Sequence, residues 1–418
     1  MDRRTALQSV AALFGSYGCS KLPIASTADW NNGATANDGR HLIVAAEESD
    51  STVAFYDSDT GQELGRIAVG YWPHEIAISP DGRTAYVSNF GLKDYDENIG
   101  RPGNSISTID IPSRCEVGRL YTSGVEGYKA PHGLAFSADA QSLYVNVEKG
   151  AGKVLVFDLS TYSTAPTTCQ YTQVDVPKRT HNILTSPDYK HLWTVSGVDG
   201  VSRIDLSTKA VTGQFSCAGP IRGLVYSADE KVLIASASNE ICIVDPASCT
   251  ILRRFTDLGV GQILYSVPTP DGRYILSPAV WQSQIVVLDA HSGTVSKRIL
   301  TGIDPIHIVV APHRKSFYVS HGRSLFISEV SLRDFELVKR IPTKGGPNGI
   351  ATTTFSTPSE KGVLKFGACL PLSGDNYIEG RDIRLGYQFW QELVNAAGGI
   401  FVGSAQESVR RPGFMGLG

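Results

Sequence analysis

Seven times along this chain one short phrase returns: an apolar strand, a turn, then a second apolar strand. The copies read PHEIAISPDGRTAYVSN from Pro73, PHGLAFSADAQSLYVNV from Pro131, THNILTSPDYKHLWTVS from Thr180, IRGLVYSADEKVLIASAS from Ile221, QILYSVPTPDGRYILSP from Gln262, PIHIVVAPHRKSFYVSH from Pro305 and a clipped PNGIATTTF from Pro347. Successive copies start 41 to 49 residues apart, with one longer gap of 58, which is the period of a four-stranded propeller blade and not of a helical repeat. The expected fold is therefore all-β, a seven-bladed β-propeller over residues 40–355.

The seventh copy stops after one strand, because Ser, Thr, Pro and charge follow Phe355. Its missing strands lie at the other end of the chain, in HLIVAAEE from His41, STVAFYDSDTG from Ser51 and QELGRIAVG from Gln62. One blade is thus expected to be built from both chain ends. Closure of that kind leaves short, protected sheet edges, which an all-β chain needs to avoid edge-to-edge aggregation. Strand alternation at Val286-Val287-Leu288 and Pro-Asp-Gly turns at Pro80 and Pro270 agree, since these residues supply period-two faces and hairpin turn geometry.

The phrases Ala85-Tyr-Val-Ser-Asn89, Leu143-Tyr-Val-Asn146 and Phe317-Tyr-Val-Ser-His321 each follow a Pro-His or Pro-Ile-His opening by about ten residues. In this the chain resembles the YVTN family of bacterial propellers over roughly residues 40–355. The resemblance implies a surface or periplasmic protein and leaves the role open. Related propellers include lactonases and the recognition domains of redox enzymes.

The termini carry the address. A paired arginine at Arg3-Arg4, an apolar run from Ala6 to Phe14 and small residues up to Cys19 read as an export signal over residues 1–19, too short to remain as a membrane span. Gly18-Cys19 also resembles a lipoprotein cleavage site, although Ser16 and Tyr17 depart from the pattern, so lipid attachment at Cys19 is the expected route to any membrane contact. Residues 20–39 form a polar linker, and the expected location is periplasmic or extracellular, with a lipid anchor as an option.

After a second linker at 356–362, residues 363–418 change character. VLKFGACLPLSG from Val363 reads as a strand running into a glycine turn, and Ile383, Tyr387, Trp390 and Val394 make a helical stripe ended by glycines. The PLSG and NAAGGI phrases here are similar to the opening of the periplasmic substrate-binding proteins of branched-chain amino-acid transporters. A lone strand and helix cannot enclose a ligand. This strand-helix appendage is therefore expected to be a truncated fragment, inactive in amino-acid binding.

With 38 basic against 41 acidic residues and no basic stripe, nucleic acid is excluded as a partner. Besides Cys19 there are Cys115, Cys169, Cys217, Cys242, Cys249 and Cys369. Cys242 and Cys249 flank one turn and are the first candidate pair, set against the plain alternative of small buried hydrophobes. No Cys-x-x-Cys-His or paired Cys-x-x-Cys occurs, which removes covalent haem and a thiolate zinc site of that type.

Aligning the repeats on Ser79, Ser137, Ser186, Ser227, Thr269, Ala311 and Thr353 puts His74, His132, His181, Arg222, Leu264, Ile306 and Asn348 at one equivalent position. In ring order Asn348, His74, His132, His181 and Arg222 form a polar arc of the channel mouth, and Leu264 and Ile306 an apolar arc. Convergent polar groups against an apolar wall make the default ligand site, expected to take a small molecule or protein on the top face. Each histidine alone reads as a strand-entry residue; the shared register is what lifts the group. His74, His132 and His181 are also a candidate metal set, but the sequence offers no matched carboxylate, so no cofactor is the first expectation. His307 falls one place out of register, at the position of Glu75, and is expected to point away.

Residues 89–103 interrupt the first complete blade on the same face. Asp94, Asp96 and Asn98 alternate as in calcium loops, but glycine arrives at position seven and Ser105 stands where glutamate belongs. The segment reads better as a lid or recognition loop, with Trp72, Tyr95 and Tyr128 adding aromatic surface. No Gly-x-Ser-x-Gly, phosphate loop or His-Glu-x-x-His is present, so no catalytic residues are assigned. The expectation is a non-enzymatic binding propeller, with a propeller enzyme, a lactonase or metal-dependent oxidoreductase, as the alternative.

Overall fold

The computed structural model describes residues 40–355, apart from 94–95, 123–127, 151, 162–166, 169–170 and 198. The expected export signal, both linkers and the appendage at 363–418 lie outside the described residues, as do Cys19, Cys169, Cys369 and Tyr95.

The architecture is a seven-bladed β-propeller. Blade 1 is Pro73–Ile78, Thr84–Asn89, Ser105–Asp110 and Cys115–Tyr121, in that order from hub to rim, with Thr167–Thr168 added in parallel at the rim. Blade 2 begins with Lys129–Phe136, blade 3 with Asn182–Thr185, blade 4 with Ile221–Tyr226, blade 5 with Val267–Pro268 and blade 6 with Pro305–Val310, each followed outward by three antiparallel strands. Blade 7 joins the chain ends: Pro347–Phe355 is innermost, and Arg40–Glu47, Thr52–Asp57 and Glu63–Ala68 follow. Val44 lies opposite Ala351 in that antiparallel pairing.

Alternation explains the stacking of blades. On the strand Arg40–Glu47, Leu42 and Val44 pack with Ala85, Val87 and Ile109 of blade 1, while Ile43 and Ala45 pack with Tyr318 and Ile327 of blade 6. Successive side chains point to opposite faces of a strand, so one apolar run serves two neighbouring cores. Each of the seven blade interfaces holds such a cluster.

The repeated Ser-x-Asp latches the first hairpin of the blades. Hydroxyls donate to carboxylates from Ser79 to Asp81 at 2.5 Å, Ser137 to Asp139 at 2.6 Å, Ser186 to Asp188 at 2.6 Å and Ser227 to Asp229 at 2.7 Å. The Ser79 hydroxyl in turn accepts from the Thr84 N–H at 2.9 Å, closing the turn from side chain to backbone.

Ring closure is reinforced by charge. The fully buried Glu47 carboxylate takes hydrogen bonds from the Tyr56 hydroxyl and the Arg66 guanidinium, and from the N–H groups of Lys344 and Gly345 just before the innermost strand.

The four described cysteines, Cys115, Cys217, Cys242 and Cys249, are free. The expected pairing of Cys242 with Cys249 is corrected. Cys249 donates its N–H to the Asp245 carbonyl, and Cys242 stands three strand residues from Asp245, roughly 10 Å away and beyond disulfide reach.

Candidate functional site

The innermost strands enter the hub through a β-bulge. The pairing shifts by one residue between Pro73 and Ile76, between Pro131 and Leu134, between Ile221 and Gly223 and between Pro305 and Ile308. A bulge opposes two residues to one and re-aims a side chain, so both His74 and Glu75 reach the hub. The Glu75 N–H meets the Ser88 hydroxyl at 3.0 Å, in the gap that the extra residue opens.

Three aligned histidines come together in a row. The rings of His74 and His132 have centroids 4.1 Å apart and those of His132 and His181 4.0 Å apart, with Phe90 edge-on to the first two. His74 and His132 are fully buried and His181 nearly so. Leu264 and Ile306 form the apolar side with Val280, as the register alignment predicts.

Two carboxylates serve this row, which supplies what the sequence lacked. Glu75 Oε1 lies 3.7 Å from His74 Nδ1 and 3.9 Å from His132 Nδ1, and Glu148 Oε1 is bonded to His181 Nδ1. His181 Nε2 meets the Tyr265 hydroxyl at 3.0 Å. With its Nδ1–H given to the carboxylate, the ring accepts the Tyr265 proton donor at Nε2; this tautomer is assigned from the network.

His307 does not point away, and that expectation is corrected by the bulge. Its Nε2 meets Glu75 Oε1 at 3.2 Å, its Nδ1 meets the Asn348 backbone carbonyl at 3.2 Å, and its ring stacks on Tyr265 at 4.1 Å and 10°. Asn182 adds its amide to Glu75 Oε1 at 3.5 Å.

The remaining aligned residues divide. The Asn348 side chain is buried and donates to Glu48 Oε2 at 3.2 Å. Arg222 is half-buried, and among the described residues it makes no hydrogen bond or ion pair to the row. Glu75, Tyr265 and His307 fall one place after an aligned position, which was the available signal, whereas Glu148 comes from the second strand of blade 2, Ser142–Lys149, and had none.

Burial alone would raise the Glu75 carboxyl, but His307, His74 and His132 around it hold it well below the usual carboxylate range. Burial, followed by the neighbouring His181 and His74, pushes the His132 imidazole well below its ordinary value. No hydrogen-bond partner reaches either ring nitrogen of His132.

Ligand atoms of His74, Glu75 and His132 all lie within 4.8 Å of one another, as do those of His132, Glu148 and His181. Two ligand atoms on a tetrahedral zinc-class ion stand about 3.4 Å apart, and the Glu75 separations from His74 and His132, 3.7 and 3.9 Å, lie close to that spacing.

A groove of about 430 Å³ is lined by Tyr71, Trp72, Gly91, Gly100 and Arg101, and its Trp72 immediately precedes Pro73-His74 in the chain. The insertion starts here: Gly91 and Gly100 have φ of 84° and 100°, and a Cβ on Gly100 would sit 2.2 Å from the Gly91 carbonyl, so the chain crosses itself where only glycine fits. Tyr128 is not part of this surface. It packs between blades 1 and 2, and its hydroxyl meets Gln173 at 3.1 Å. The side chains of Asp94, Asp96 and Asn98 lie outside the described residues. A second cleft, of about 410 Å³ and lined by Asp229 and Asp271, opens away from the hub, and its carboxylates are engaged as turn latches.

Fold and site together define a seven-bladed propeller whose hub carries a buried histidine-carboxylate cluster. No family model matches the chain, and no curated protein sequence does. Solved structures match it in shape. A putative 6-phosphogluconolactonase from Bacteroides fragilis is 16% identical, with 77% of this chain and 100% of that chain covered at a TM-score of 0.60. The periplasmic gluconolactonase of Pseudomonas aeruginosa is 18% identical, with coverages of 75% and 99% and a TM-score of 0.58. The dihydro-heme d1 dehydrogenase NirN is 16% identical, with coverages of 84% and 86% and a TM-score of 0.57. At these identities the likeness shows the fold. It also corrects the expected non-enzymatic binding module: the propellers of this shape include two named as lactonases and one as a dehydrogenase, so the comparisons favour the enzyme reading.

Proposed function

We propose that this protein is a metal-dependent propeller enzyme that opens lactones by hydrolysis, with a zinc-class divalent ion between His74, Glu75 and His132. One observation carries the reading: His132 is fully buried, neither ring nitrogen has a hydrogen-bond partner, and the His74 and Glu75 ligand atoms converge beside it. A buried imidazole without a hydrogen-bond partner costs free energy, and a bound cation removes that cost.

The ion would supply Lewis acidity to the ester carbonyl and to water. The chain's own groups supply proton traffic. Glu148 holds the Nδ1 proton of His181, which leaves Nε2 basic and facing Tyr265. As water attacks the lactone carbonyl, its proton passes through the Tyr265 hydroxyl to His181 Nε2. The ring C–O bond then breaks, and the departing alkoxide takes a proton back, giving the hydroxy acid. The Tyr71, Trp72 and Arg101 groove offers ring faces and a guanidinium to a polar ring with an acidic substituent.

The YVTN-like phrases support membership of that repeat class. Arg3-Arg4 and the apolar run after it support export, in keeping with the neighbour from Pseudomonas aeruginosa, which is itself a periplasmic protein.

The test is metal analysis of purified protein together with pH-stat hydrolysis of aldonolactones. One ion per chain, with loss of both ion and turnover in His132→Ala, supports the reading. A metal-free wild-type protein that still hydrolyses lactones overturns the ion. Stoichiometric copper or iron without lactone turnover replaces hydrolysis by the oxidoreductase alternative.

A further inference from the structure

We infer that Cys217 and Cys242 are a redox-active pair that closes to a disulfide and staples blade 3 to blade 4. Their sulfurs stand 2.9 Å apart. That is nearer than unbonded sulfur atoms ordinarily approach and about 0.9 Å longer than an S–S bond. The two residues come from different blades. Cys217 follows the outermost strand of blade 3, Val211–Phe215, whereas Cys242 lies in the third strand of blade 4, Glu240–Asp245.

The surroundings hold the pair in place. Glu240 is almost fully buried, and its carboxylate accepts from the Ala218 N–H, next to Cys217, and from Arg254 Nη1 at 3.0 and 3.1 Å. The Cys217 loop is thereby pinned to blade 4. Arg254 Nη1 also stands 3.5 Å from Cys242 Sγ, where its charge favours developing thiolate.

Cys217, Glu240 and Cys242 would also be a soft metal set, since their ligand atoms lie within 4.8 Å of one another. Arg254 argues against it: the guanidinium already occupies both carboxylate oxygens, and a cation would enter beside a fixed positive charge.

Exposure sets the order of reaction. Cys217 is partly exposed and Cys242 buried, and the Cys217 hydrogen bond, followed by burial, pushes the Cys242 thiol up. Cys217 therefore attacks first, on an external disulfide, forming a mixed disulfide and releasing one thiol. Cys242 then attacks the Cys217 sulfur and releases the second thiol. Two protons and two electrons pass from the pair to the external disulfide, which is reduced to two thiols. The product links blades otherwise held by an apolar cluster and by contacts such as Arg203 Nη1 to the Pro246 carbonyl at 2.6 Å.

The full chain, reduced and freed of metal, is exposed to oxidised glutathione and measured by intact mass, non-reducing peptide mapping and thermal melting. The expected result is a loss of two hydrogens, a Cys217–Cys242 cross-linked peptide, and a melting midpoint several degrees higher on oxidation in the wild type but not in Cys217→Ser. Glutathione remaining on Cys217, a cross-link to Cys115 or Cys249, both thiols still open to alkylation, or zinc held at the pair that blocks oxidation would each overturn the inference. Should Cys217→Ser not fold, the mapping of the wild type decides alone.

Discussion

The Tyr265 hydroxyl of blade 5 meets Nε2 of His181 in blade 3 at 3.0 Å, 84 residues apart in sequence. The contact crosses the channel, and the same ring stacks on His307. Tyr265→Phe keeps the stack and deletes the hydrogen bond. Its expected cost in stability is about 1 kcal/mol, while lactone turnover falls by about 10²-fold or more with the bound ion retained, because the hydroxyl passes the proton to His181 and touches none of the proposed ligands. Metal analysis together with pH-stat rates checks this, and an unchanged rate refutes the proposed role.

Glu47 sits at the seam between the chain ends. Glu47→Ala leaves Arg66 half-paired and the Lys344 and Gly345 N–H groups without their acceptor, which should cost about 3 kcal/mol. Glu63→Ala removes a more exposed partner of the same arginine and should cost about 1 kcal/mol or less. Equal losses in denaturant titrations would show that burial at the seam is not what matters.

Deleting residues 347–355 removes the innermost strand of blade 7 and its pairing with Arg40–Glu47. The ring should then lose its single cooperative transition. A deletion protein melting in one step at the parental temperature contradicts closure of the ring by this strand.

Acid should destabilise the ring through His321. Burial lowers its imidazole to about 4, only partly offset by its Nδ1–H donating to the Phe326 carbonyl. The unfolded chain, with a histidine near 6.5, binds the proton first as pH falls. Stability is therefore lost between about pH 6.5 and 4, by about 3 kcal/mol once the lower limit is passed. His321→Asn should flatten that slope whatever its effect at neutral pH. An identical slope in denaturant titrations at pH 7 and 4.5 would remove His321 as the cause.

Much of this was legible in the repeats. Ser79-Pro-Asp81 and its copies mark hairpins because a hydroxyl and a carboxylate two residues apart close a turn locally. The alternation Leu42, Ile43, Val44, Ala45 marks a strand buried on both faces because side-chain direction follows backbone period. The shared register of His74, His132 and His181 foretold their meeting for the same reason. Glu75 and His307 were misjudged because a bulge adds one residue and reverses the parity on which register rests.

The number of blades, the joining of the two chain ends and the shared register of the histidines can be read from the repeats, since all three follow from local pattern and spacing. Which carboxylates serve the histidine row, that Tyr265 reaches His181 and that Cys242 faces Cys217 instead of Cys249 emerge only when the blades are assembled. Those partners lie on different blades, and their distances depend on ring curvature and on bulges, which no single repeat encodes.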